Sequence, residues 1–60
     1  MTADEFTAAR EALGFTKQQM ADALEVTLRS VQWWESGTRA VPGPAGVAVR
    51  LLMERAPLPE

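Results

Sequence analysis

Residues 16 to 37, TKQQMADALEVTLRSVQWWESG, constrain this chain more than any other stretch. Two short helical patterns lie there on either side of a break, and each carries its own start signal. Thr16 is placed as an N-cap with Gln19 three positions on, the capping-box arrangement, while Phe15 and Met20 flank it as a hydrophobic staple. Thr27 opens the second pattern. Its hydroxyl can accept from a free backbone N–H near Arg29 or Ser30, and Val26 and Val31 form a second staple pair. Met20, Ala21 and Leu24 recur at helical core spacing, and the break at Glu25-Val26 leaves room only for a tight corner. The spacing predicts helices over residues 17–24 and 28–36, joined as a helix-turn-helix.

The second of these helices has two different sides. At about 100° per residue, Leu28, Arg29, Gln32, Trp33 and Ser36 share one arc, and Ser30, Val31 and Trp34 share the other. Trp34, beside Val31, reads as core. Trp33 shares its side with Arg29 and Gln32 and counts with them and Leu28 among the candidate base contacts; its ring has two readings, packing on a sugar-phosphate backbone or covering a gap beside the following loop. A helix that presents Arg29 and Gln32 near its exposed start suits the major groove, where arginine pairs with guanine and glutamine with adenine. Leu28 can meet a thymine methyl or lie over a sugar, and Ser30 is small and early enough in the helix to bond a phosphate.

The run Thr16, Gln19, Met20, Ala21, Leu24, Val26, Thr27, Val31, Trp34, Glu35, Gly37 resembles the helix-turn-helix core of the Cro/C1 (XRE-type) family of bacterial and phage repressors. The resemblance extends through Arg39, Val41 and Pro42-Gly43-Pro44 into the last helix, so it covers most of the chain. It implies an all-α, compact four-helix domain of the lambda repressor-like kind, in which the third helix reads double-stranded DNA. Lys17 stands where the family usually has a glutamine that touches the DNA backbone, and Gln18 can share that role; Gln19 is better explained as the capping partner. Thr38 and Arg39 occupy a loop that resembles the family's backbone clamp. Two positions depart from the pattern. Glu25 stands at a corner where the family usually has glycine, and Leu28 and Trp33 stand where it commonly has polar or basic residues, so base preference does not carry over.

Sixty residues allow one small domain with a marginal core. With neither cysteine nor histidine, disulfides, the usual zinc-finger ligand sets and Ser-His or Cys-His catalytic pairs cannot be built. No paired carboxylates mark a cleft, so an enzyme is not expected, and neither is a cofactor or metal. No apolar run is long enough to cross a bilayer and MTADEF is no signal peptide, so a cytoplasmic protein is expected. The net charge of -2 opposes DNA binding, which phosphate neutralisation normally drives. Its distribution softens the objection: from Val26 to Arg50, Arg29, Arg39 and Arg50 stand against Glu35 alone. Asp4, Glu5, Glu11, Glu54 and Glu60 are expected to face away from DNA, with Asp22 and Glu25 in solvent.

Thr2 and Glu5 spell a further capping box, and the first helix is expected over residues 3–13, with Phe6, Ala9 and Leu13 inward and Gly14 ending it. Arg10 reads as a solvated charge near Glu11 or the helix end. After Gly37, Val41 is expected beneath the domain, and Pro44 at the first position of a last helix over residues 44–55. That helix is apolar over too much of its circumference for one small domain to cover. Val49, Leu52 and Met53 are the expected dimerisation residues, with Leu58 in an extended tail of residues 56–60 packing across the partner. The expectation is a dimeric repressor on an inverted-repeat operator. The rival is an antitoxin or protein-binding module whose apolar last helix holds a toxin or another protein.

Overall fold

The computed structural model describes residues 1–55 of the chain, and four α-helices account for most of them: α1 (Ala3–Leu13), α2 (Lys17–Leu24), α3 (Leu28–Ser36) and α4 (Gly43–Arg55). The first three begin on threonine. The Thr2 hydroxyl accepts from the Glu5 N–H at 3.1 Å while the Thr2 N–H donates to Glu5 Oε1 at 2.8 Å. Thr16 and Gln19 repeat both bonds at 3.1 and 2.8 Å, and the Thr27 hydroxyl accepts from the Ser30 N–H at 3.1 Å. Each threonine satisfies one of the free donors that a helix start leaves. The hydrogen bond from the Thr2 N–H also holds the Glu5 carboxyl below its ordinary pKa.

The same three helices end on left-handed residues, Gly14 (φ 73), Glu25 (φ 57) and Gly37 (φ 80). Glycine adopts this conformation freely, whereas Glu25 carries a Cβ that crowds the following carbonyl. The corner is nonetheless closed, the Glu25 and Val26 N–H groups donating to the carbonyls of Asp22 and Ala21 at 3.2 and 3.0 Å. The last helix starts one residue before the expected position, at Gly43, so Pro44 is second. Its missing N–H still falls in the first turn, where no intrahelical partner exists, and the first bond is made by the Gly46 N–H to Pro42 O at 3.0 Å.

Phe6, Met20, Ala21, Val31, Trp34 and Val49 form the buried core, with one or two residues from each helix. Phe6 and Trp34 meet edge to face, ring centroids 5.6 Å apart at 73°, the favourable arrangement for two quadrupoles. Ala9, Leu13, Phe15, Leu24, Val26, Trp33, Val41, Ala45 and Leu52 pack around them. α3 lies against both α1 and α2, and α4 packs on α1 and α2.

Two expectations are corrected here. Arg10 is not a solvated charge: its Nε donates to Glu35 Oε2 at 2.6 Å and Nη2 to Oε1 at 3.3 Å, with the Arg10 and Glu35 side chains only 15% and 7% exposed. Its Nη1 donates to Phe15 O at 2.9 Å, so one guanidinium joins the end of α1, the approach to α2 and the last turn of α3. The Glu35 carboxylate accordingly raises the Arg10 pKa. Val49 is not a surface residue for a second subunit, because it is fully buried, and Leu52 is half-buried against the same core. The apolar residues of α4 left exposed are Val47, Leu51 and Met53. The expected tail of residues 56–60, Leu58 included, lies outside the described residues.

Two stability measurements follow from this frame. Glu25→Gly relieves the left-handed strain and is expected to raise stability by about 0.5–1 kcal/mol, the gain being reduced by the greater freedom of glycine in the unfolded chain; an unchanged or lower thermal midpoint would show that the corner is not strained. Arg10→Ala leaves the Glu35 carboxylate enclosed without its partner and is expected to cost about 3 kcal/mol. For a chain this short, total stability is of order 3–9 kcal/mol at the usual value per residue, so the urea midpoint of the variant should fall by about a third or more.

Candidate nucleic-acid interface

The polar side chains proposed for contact project from the start of α2, from α3, where Arg29 and Gln32 lie away from Val31 and Trp34 and Ser30 lies at the helix start, and from the loop after α3. Lys17 is the first residue of α2 and is exposed. Gln18 is exposed too, but its amide donates to Asp22 Oδ1 at 3.0 Å one turn along, so part of its hydrogen-bonding capacity is used within the helix. On α3, Arg29 and Gln32 are exposed whereas Leu28, Ser30 and Trp33 are half-buried. The Ser30 hydroxyl lies 3.1 Å from that of Thr27, which ties it to the helix cap.

The loop after α3 folds back on Trp33. Gly37 turns the chain, and the Arg39 N–H donates to Trp33 O at 3.3 Å. Ser36 Oγ donates to the same carbonyl at 3.2 Å and lies 2.8 Å from Thr38 Oγ1. With the Ser36 proton committed to the carbonyl, Thr38 is the donor in that pair. The result sets the Arg39 guanidinium carbon 4.0 Å from the centroid of the Trp33 ring, with that of Arg29 at 5.9 Å from the same centroid. A cation over an indole face gains about 0.5–1 kcal/mol at an exposed site. Among the described residues neither arginine has a carboxylate within salt-bridge distance.

Trp33 packs against the core cluster and carries the Arg39 guanidinium over its ring, beside the following loop. The structure thus brings Arg29, Trp33 and Arg39 together. Lys17 and Gln32 belong to a different feature, a shallow groove whose walls also include Asp4, Thr7, Glu11 and Ser36. This corrects the expectation that the acidic residues of α1 all lie away from the candidate interface, since the packing of α1 on α3 sets Asp4 and Glu11 beside Gln32. On α3 and the loop after it, the exposed cations are Arg29 and Arg39.

Sequence reasoning placed Trp33 on the same side of the helix as Arg29 but missed the stacking of Arg39, whose approach depends on the loop folding back after Gly37. It also missed Glu35 as the ligand of Arg10. No family model matches the chain, and no curated protein or solved structure matches it. Among the described residues there is no group of three or more Asp, Glu, His or Cys arranged to hold a metal ion, and no helix long and apolar enough to cross a membrane.

Proposed function

We propose that this chain is a sequence-specific double-stranded DNA-binding regulator of the Cro/C1 helix-turn-helix type, acting as a dimeric repressor on an inverted-repeat operator. The observation that carries the reading is the outward presentation of Arg29 and Gln32 on α3, a short helix whose other side is committed to the core through Val31 and Trp34. Such a helix enters the major groove, where Arg29 reads guanine and Gln32 adenine, while Lys17, Ser30, Thr38 and Arg39 hold phosphates on either side. In a two-fold dimer the two recognition helices engage half-sites about 34 Å apart, one turn of the duplex. The corner between α2 and α3, closed at Glu25, supports the same reading.

The dimer contact belongs to the outer side of α4. Val47 and Leu51 lie one turn apart on the side away from Val49 and are 56% and 46% exposed. Met53 and Met1 are exposed as well, at 42% and 46%. These four residues also carry the second reading, a module whose α4 holds a different protein, such as a toxin, with DNA binding dependent on that partner.

Fluorescence anisotropy with a labelled duplex from upstream of the protein's own gene, at two salt concentrations and against a scrambled duplex, decides between the two. Tight, salt-sensitive binding that favours the upstream sequence is expected for the regulator; no binding until a partner is added would select the module. Arg29→Ala is expected to lose about 1–3 kcal/mol on the operator and to relax one base position, whereas an equal loss on every sequence would make Arg29 a phosphate contact. Leu51→Glu, at an exposed position and so harmless to the fold, is expected to give monomers in sedimentation velocity with weakened operator binding; an unchanged sedimentation profile would refute this dimer contact.

A further inference from the structure

We infer that Trp33 is a positioning residue which holds Arg39 as a preset receptor for the DNA phosphodiester backbone, and that it does not itself read bases. The inference rests on the DNA-binding reading above and assigns a role to the residue that departs most from the resembled pattern.

Three observations carry it. The indole is half-buried against the core, so its position is fixed by packing. The backbone of Arg39 is tied to the same residue, its N–H donating to Trp33 O at 3.3 Å, and Ser36 and Thr38 brace the turn between them. The Arg39 guanidinium carbon then lies 4.0 Å from the ring centroid, within stacking range, with no carboxylate to neutralise it among the described residues. An arginine with one face covered by a ring keeps its edge donors free, and these match the paired oxygens of a phosphate. A free arginine on an exposed loop must be ordered when it binds; one already lodged on an indole loses less freedom. The stack occupies one face of the ring. The Arg29 guanidinium, 5.9 Å from the centroid, lies farther from the ring than Arg39 and keeps more freedom to reach a base edge.

The test compares wild type, Trp33→Leu, Trp33→Phe, Arg39→Ala and Arg39→Lys on the upstream duplex and on a random-sequence duplex of equal length, each across a series of salt concentrations. Trp33→Leu and Arg39→Ala are both expected to weaken binding about 5–10-fold on both duplexes alike and to lower the slope of log affinity against log salt by about 2 for a dimer that carries the residue twice. Trp33→Phe keeps an aromatic face and is expected to stay within about twofold of wild type. The double variant Trp33→Leu with Arg39→Ala should bind no more weakly than Arg39→Ala alone, because the two residues act through one contact. Arg39→Lys, which touches no core side chain, keeps the charge but not the planar stack. It should lose most of the same affinity even if Trp33→Leu proves too unstable to compare. In the free protein, the Arg39 side-chain proton resonances should show an upfield ring-current shift that disappears in Trp33→Leu.

A Trp33→Leu variant that loses affinity only on the upstream duplex, with its salt slope intact, would make Trp33 a base-reading residue and overturn the inference. So would Arg39→Lys binding as wild type does, or losses that add in the double variant. In each of those cases wild type still binds DNA and the proposed function stands; wild type that binds neither duplex at the lowest salt would remove both.

Discussion

One arginine side chain, together with the burial of Val31 and Trp34, fixes where the outward face of α3 points. Arg10 leaves the last turn of α1, bonds Glu35 on α3 through two nitrogens and reaches the Phe15 carbonyl just ahead of α2. Removing two charges from water costs several kcal/mol for each ion, so such a pair adds little net stability over an apolar replacement of equal volume. What it supplies is direction. An apolar contact tolerates rotation of α3 about its own axis, whereas a two-nitrogen bond to a planar carboxylate does not. The rotation it excludes is the one that would turn Arg29 and Gln32 away from their present side of the helix.

How much of this was legible in the sequence depends on the distance over which each feature is decided. The caps involve residues three apart, and Thr2 with Glu5, Thr16 with Gln19 and Thr27 with Ser30 all form the bonds their spacing suggests. The strained corner at Glu25 was readable for the same reason, as was the division of α3 into a side with Trp34 and a side with Trp33. Pairing across the fold was not. Glu35 lies 25 residues from Arg10, and nothing local distinguishes it from the other acidic side chains. In α4, apolar residues extend around so much of the helix that periodicity does not say which side turns inward. The packing against α1 and α2 decides that, and it selects Val49 and leaves Val47 and Leu51 outside.

The placement of charge qualifies the candidate interface in a specific way. Asp4 and Glu11 border the groove that holds Lys17 and Gln32, so attraction for a polyanion is reduced there and rests on the two arginines around Trp33. Under the proposed DNA-binding function, a surface of this kind would give weak general affinity and make recognition more dependent on fit than on charge. Two linked copies would double the small positive contribution of each, which agrees with the apolar side chains that α4 leaves uncovered.

Three helices of this chain carry their start and stop within their own few residues, from Thr2 to Gly14, Thr16 to Glu25 and Thr27 to Gly37. Most of the ordering is therefore done by neighbours in sequence, and only short loops must close before the helices meet. Helical domains built this way reach the native state in microseconds to milliseconds, far faster than a ribosome completes even so short a chain. In the dimeric regulator proposed above, the time between translation and an active molecule would then be set by synthesis and by the meeting of subunits. For a regulator controlled by its own concentration, folding would add no delay to the response.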